Sequence, residues 1–312
     1  MILGFVKSDF PDEKRVALLP EDIKNFENKL YIESGFGKQL DIPDSDYEKA
    51  GCQIVSRKEV YEHSEGIFSL KLIQPADYDF IRPGQMIIGW IHPYGSGKSF
   101  MKTQAYPKNL IVVDLDSQSP QVFYKNKNFP AKNIPRDMLF RNSFFAGLSG
   151  TFHAFQNFGI IPDDTTHIAV LGSGNVSQGA FQAVSKFSSN LRMFYRRTLP
   201  LFKETMADYD VIINGIEVGD NGEPIISLIE QSKLKKGTFI IDIAADAGNA
   251  IQGNHTMSIS HPIYQEHGVY HYVVPNTPSL AYRNVSKILS KQFSQHVFKQ
   301  DITIFKEMIE PS

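Results

Sequence analysis

The sequence predicts an α/β protein of two parallel-sheet domains, the second of them trimmed, with an interdomain cleft. Three observations carry this. Short apolar runs recur along the chain, separated by helix-length segments, which is the pattern of βαβ units and a parallel sheet. One such run, Ile168-Ala-Val-Leu, breaks into Gly172-Ser-Gly174-Asn-Val-Ser-Gln-Gly179 and opens a helix. At 312 residues the chain is long enough for two separate cores.

In order, residues 1–6 read as a strand, and Pro20-Glu-Asp starts a helix with proline and acids in its first turn. Strands are expected next at 66–71, 85–92 and 110–114. From about Asp137 to Phe158 the apolar period is helical and free of proline, and Ala146, Gly147, Ser149 and Gly150 would allow close packing. Within that helix Phe144, Phe145, Phe152, Phe155 and Phe158 read as core. Further strands fall at 168–171, 190–195, 210–214, 238–242 and 269–274. Between Tyr195 and Asp210 there is too little chain for the helix and third strand of a full mononucleotide half, so the outer strand is expected to be missing or vestigial. Residues 280–309 are again helical in period, with Ile288, Leu289, Phe293 and Val297 on the apolar side, and return to the first domain. The expected domains are 1–144 plus 279–312, and a Rossmann-like 145–278.

Composition excludes several classes. A net charge of −2 gives no reason to expect a nucleic acid or an anionic membrane as partner. The single Cys52 forbids an internal disulfide and fits a reducing compartment. The first residues lack a long apolar stretch before charge appears, so no signal peptide is expected. No window approaches the roughly 18 uninterrupted apolar residues of a membrane span. A cytoplasmic location and no metal are expected.

The turn of Gly172, Ser173, Gly174, Asn175, Val176 and Ser177 would bring backbone N–H groups and a helix N-terminus against a pyrophosphate. Ser177 holds the place of the third small residue, with Gly179 two positions on. A tight strand–helix turn without ligand is the plainer reading of such a stretch alone. The end of the next strand sharpens it. At 23 residues past Gly172, where an acid normally takes the ribose hydroxyls of NAD, stands Tyr195, and after it Arg196 and Arg197. Two guanidiniums suit a 2′-phosphate, so the expected cofactor is NADPH.

Upstream, Arg15, Lys71 and His92 stand out. Lys71 and His92 sit at or near the carboxyl ends of expected strands, where parallel sheets bind ligands. An arbitrary arginine at position 15 would pair with Glu13 or Asp12 at the surface, whereas a lysine in an apolar strand is hard to explain structurally.

Here the sequence resembles the alanine dehydrogenase and nicotinamide nucleotide transhydrogenase family. Lys7 and Arg15 through Pro20 match the family's opening lysine strand and "RVALTP" stretch, and Lys71 precedes His92 by the family's 21 positions. Asp242-Ile-Ala-Ala-Asp246-Ala-Gly248 looks like its "DIAIDQGG" segment, His261-Pro262 like its "DHP", and Val273-Val-Pro-Asn276-Thr-Pro278-Ser like its "VANMPAS". Tyr195 replaces the usual acid, the nucleotide domain is shorter, and "HLAA" becomes His92-Pro-Tyr-Gly.

The resemblance implies that Arg15 and Lys71 hold a 2-oxo acid and that His92 is the general acid/base. Asp246 would stabilise an iminium, and Asn276 would sit beside the nicotinamide. NADPH preference and short length imply, within the family, reductive condensation of pyruvate with the side-chain amine of L-ornithine or L-lysine. Glu217 would be placed to receive a cationic amine, or is a solvated loop acid. A homo-oligomer, dimer or tetramer, is implied. The alternatives are an NADPH-linked alanine or saccharopine-type dehydrogenase, and a non-catalytic NADPH-binding regulatory protein.

Overall fold

Parallel pairing dominates both sheets of the computed structural model, which describes residues 1–116, 119–219, 222–244 and 249–309. The chain divides into two units, Met1–Leu139 with Tyr282–Ser312, and Phe140–Ala281.

The first unit carries β1 (Ile2–Phe5), β2 (Lys29–Glu33), β3 (Gln53–Val55), β4 (Gly66–Ser69), β5 (Met86–Gly89), β6 (Ile111–Asp114), β7 (Gln121–Tyr124) and β8 (Lys127–Pro130). They form one sheet in the order β3-β2-β1-β4-β5-β6-β7-β8. The first six strands are parallel, and β7 and β8 add an antiparallel hairpin at the β6 edge. β4, β5 and β6 are buried at every residue, which is why their sequences are near-continuous apolar runs, with Ser69 and Asp114 only at the ends of β4 and β6.

Residues of the C-terminal segment close one face. Phe293, on the helix Tyr282–Phe293, lies 5.5 Å from the Phe68 ring, and Phe298 beyond it lies 4.9 Å from Phe5 and 4.8 Å from Phe68. One expectation fails beside the same helix. No α-helix begins at Pro20; only the 3₁₀ turn Pro20–Asp22 forms. Ile23 is already extended, which ends the turn; the N–H groups of Val16 and Leu19 donate to the hydroxyls of Ser286 and Ser290, and the Ser290 hydroxyl donates to Asp22. Residues 16–19 are thereby strapped to the C-terminal helix.

The second unit carries β9 (Ile168–Leu171), β10 (Leu191–Phe194), β11 (Val211–Asn214), β12 (Phe239–Asp242), β13 (Ile263–Glu266) and β14 (Val269–Tyr272). Its sheet runs β10-β9-β11-β12-β14-β13, parallel except for the edge strand β13. Among the described residues no strand lies outside β10, so the outer strand of a full mononucleotide half is missing.

The helix Phe140–Phe158 crosses the helix Asn175–Val184 at very close range. A Cβ at Gly147 would overlap the Val176 carbonyl oxygen, and one at Gly179 would overlap that of Phe144. Gly179 therefore serves helix packing. The phenylalanines of the long helix are not all core. Phe155 is buried and Phe158 stacks on Phe239 at 4.1 Å, but Phe152 is 42% exposed, edge-on to the exposed Phe187.

Candidate functional site

In the first unit the site grows from the carboxyl ends of β4, β5 and β6. Gly89 ends β5 so close to β4 that a Cβ would overlap the Ser69 carbonyl oxygen. The chain then turns. Ile91 N–H donates to the buried Asp114 carboxylate at the end of β6 (2.9 Å), and His92 N–H leans on the same oxygen at 3.4 Å. Burial pushes the Asp114 carboxyl above its ordinary range. His92 itself sits in the left-handed region (φ 52°), a conformation uncommon for histidine and held here by surrounding hydrogen bonds. Its carbonyl accepts the N–H groups of Gly95 and Gly97 at 2.9 and 3.0 Å.

The His92 imidazole pairs through Nε2 with the Asp116 carboxylate. That hydrogen bond raises the imidazole above its ordinary value, against burial and the nearby Lys71, which pull it down. Burial disfavours ionised Asp116, yet the hydrogen bond from His92 and the charges of His92, Lys71 and Arg15 hold it below the usual carboxylate range.

Trp90 is buried at the centre of this cluster. The Arg15 guanidinium lies 4.8 Å and the Lys71 ammonium 5.0 Å from its ring centre, and Lys71 also lies 5.4 Å from the Phe10 ring. Arg15 is no surface residue. Its Nε and Nη2 donate to Glu13 at 2.8 and 2.5 Å, with side chains 1% and 0% exposed. Lys71 lies two residues beyond β4, half-buried, rather than inside the strand. Arg15, Lys71 and His92 are thus brought together. Sequence reasoning named Glu13 only as a surface partner of Arg15, and it missed Trp90, Asp114 and Asp116. The signal for the last two was present, since both lie at or beyond the carboxyl end of β6.

In the second unit, Gly172 directly follows β9 with φ 106°, where a Cβ would overlap the Ser177 hydroxyl. Ser177 is fully buried, and its hydroxyl donates to the Leu171 carbonyl at 2.9 Å. It is the small residue that joins strand to helix, and the Val176 carbonyl faces Gly147. Gly174 precedes the helix Asn175–Val184 and has open space beside it, as a cradle for a bulky anion requires; Ser173 and Asn175 flank it, exposed.

Past β10, Tyr195 is 47% exposed and Arg196 and Arg197 are exposed. Their turn is pinned by Tyr195 N–H to the Thr198 hydroxyl (2.9 Å) and Thr198 N–H to the Tyr195 carbonyl (2.8 Å). Neither arginine makes an ion pair among the described residues. Asp242 is a buried structural acid that accepts from Asn214 and Asn254 at 2.8 and 2.7 Å. Asn276 is half-buried and left-handed at φ 59°, and Glu217 is exposed beyond β11. Asp246 lies outside the described residues. Among the described residues no helix is long and apolar enough to cross a membrane, and no group of three His, Cys, Asp or Glu is placed to hold a metal ion.

These two sets of residues define a class, and comparison with known proteins places the chain in it. The Alanine dehydrogenase/PNT N-terminal domain model matches residues 4–117 and the C-terminal domain model residues 163–308. The chain belongs to the alanine dehydrogenase/PNT family. Among curated proteins it is similar to the N(5)-(carboxyethyl)ornithine synthase of Lactococcus lactis subsp. lactis, 58% identical over 311 residues that cover 100% of this chain and 99% of the relative. The protein of that name from Clostridium botulinum (strain Hall) is 50% identical over 309 residues, 99% of this chain and 98% of the relative. An alanine dehydrogenase 1 of Staphylococcus aureus is 25% identical over 93% of this chain and 85% of the relative. Two solved structures share the fold. An L-alanine dehydrogenase has TM-score 0.78 and 21% identity, covering 99% of this chain and 92% of its own. A transhydrogenase from Sinorhizobium meliloti has TM-score 0.77 and 18% identity, covering 99% and 96%.

Proposed function

We propose that this chain is an N(5)-(carboxyethyl)ornithine synthase: an oxidoreductase that joins pyruvate to the side-chain amine of ornithine and reduces the product imine. The observation that carries this reading is 58% identity, over its full length, to an enzyme of that name. The cluster of Arg15, Lys71 and His92 supports it chemically.

In this reading Arg15 takes the pyruvate carboxylate, its fork held in plane by Glu13. Lys71 takes the carbonyl or the other carboxylate oxygen. Holding the ketone this way makes attack by the amine effectively unimolecular. The amine nitrogen forms a bond to the carbonyl carbon, and His92 gives a proton to the developing alkoxide. Loss of water, helped by the same acid/base, leaves the imine. NADPH, when bound, supplies the hydride that this carbon accepts. Asp246 is assigned to the positive charge of the iminium and Asn276 to the nicotinamide side.

The nucleotide would lie with its pyrophosphate at Gly172, Ser173, Gly174, Asn175, Val176 and Ser177. Its 2′-phosphate would lie at Arg196 and Arg197, beside Tyr195. The open space at Gly174 and the exposed arginines, with no ion pair among the described residues, suit such a ligand. We infer a cytoplasmic homo-oligomer of two or four copies, with no nucleic-acid or membrane partner.

The test is NADPH oxidation in the presence of pyruvate and one amine at a time. Ornithine, or lysine in its place, should support turnover well above ammonia. Turnover with ammonia alone would make the protein an alanine dehydrogenase instead.

A further inference from the structure

We propose that Asp116 is the positioning residue for His92, holding the imidazole by Nε2 so that Nδ1 is the nitrogen that exchanges protons with the substrates. This rests on the reading of His92 as the acid/base. The geometry is specific. Asp116 lies two residues beyond β6 and meets Nε2 directly. His92 Nδ1 has no hydrogen-bond partner among the described residues, and the imidazole is 45% exposed. One ring nitrogen is therefore tied to the protein and the other is open to a reactant.

The backbone is arranged to keep this pairing. Asp114 fixes the N–H groups of Ile91 and His92, and Asp116 N–H lies 3.5 Å from the same Asp114 oxygen, so one buried carboxylate gathers both partners of the dyad. An imidazole whose far nitrogen faces a carboxylate has its tautomer and ring orientation set by that contact. The charged groups acting on the pair are Asp114, Lys71 and Arg15. Asp114 and Asp116 favour the imidazolium, and Lys71 opposes it.

The hydrogen bond that His92 donates to Asp116 raises the folded-state value of His92, so the ring stays protonated to higher pH than an ordinary histidine. A proton donor of this kind loses activity as pH rises through that value, giving the alkaline limb of kcat/KM. Asp116→Asn keeps a hydrogen-bond acceptor but removes the charge. It should move the alkaline limb to lower pH by about one unit, the lower end of what an opposite charge within a few ångströms contributes. Asp116→Glu should restore the limb in part. KM for pyruvate should stay within about threefold in both, since neither touches the oxo acid.

A second readout needs no turnover. In the intact wild-type protein, NMR titration of the imidazoles, with His92→Asn marking the His92 signal, should show Nε2 protonated throughout and proton exchange at Nδ1. An unmoved limb in Asp116→Asn, or a His92 that titrates through Nε2, would overturn the proposal. If His92→Asn itself keeps the limb and near-normal turnover, the acid/base reading fails. If His92→Asn removes the limb while Asp116→Asn leaves it in place, only the role of Asp116 fails.

Discussion

Two cations share one buried indole in this chain, and they are not equivalent. Arg15 is locked to Glu13 away from water, whereas Lys71 is half-exposed over Phe10 and Trp90. Removing one partner of a buried pair leaves an uncompensated charge, so Arg15→Ala should destabilise the protein by about 3–5 kcal/mol in urea unfolding. Arg15→Lys keeps the charge and loses the fork; it should fold and raise KM for pyruvate, while NADPH affinity by fluorescence titration stays within a few-fold. A weakened NADPH affinity with unchanged pyruvate KM would contradict the assignment of Arg15. His92→Asn should lower kcat by about 10²- to 10⁴-fold with NADPH binding intact, the range of general acid–base catalysis. Near-normal kcat would place the proton transfer elsewhere. At this scale Lys71 and His92 were legible because the ends of buried parallel strands are where ligands bind. The burial of the Arg15–Glu13 pair was not, because the adjoining segment is held by Ser286 and Ser290, some 270 residues away in sequence.

Elements were legible in proportion to their burial. β4, β5, β6, β9, β11 and β12 are buried at all four residues and read directly as apolar runs. β2, the three-residue β3 and the exposed β8 mix polar and apolar residues, so no apolar run marks them. The helix expected at Pro20 stops after one turn, because Ile23 is already extended and Asn25 is left-handed at φ 55°, while the Ser290 hydroxyl holds Asp22. The crossing of the helices Phe140–Phe158 and Asn175–Val184 has its own test. A methyl group at Gly179 would meet backbone, which cannot rotate aside. Gly179→Ala should therefore cost about 1–3 kcal/mol in thermal or urea unfolding, the range for overpacking. It should also weaken NADPH, since the Asn175 helix start moves with the shift. Full stability in this variant would show that the two helices can separate without loss.

At the scale of the whole molecule, the two sheets and the family were visible in ordered motifs from Lys7 to Ser279, and the missing outer strand in the short stretch after Tyr195. Cofactor choice belongs here because it decides which reducing pool the enzyme draws on. Replacing Arg196 and Arg197 with serine should weaken NADPH by about 1.5–3 kcal/mol, the worth of hydrogen bonds to charged groups, with NADH little changed. Equal losses for both nucleotides would remove the arginines from the 2′-phosphate site. The most direct measurement on the central claim traces the hydride into the product. The protein is given pyruvate, ornithine and NADPH deuterated on both faces of nicotinamide C4, and the products are read by mass spectrometry and NMR. The expected result is one product that joins ornithine and pyruvate through the side-chain nitrogen, with one deuterium on the former carbonyl carbon. Deuterated lactate, or deuterated alanine when ammonium is also present, with ornithine unchanged, would contradict it.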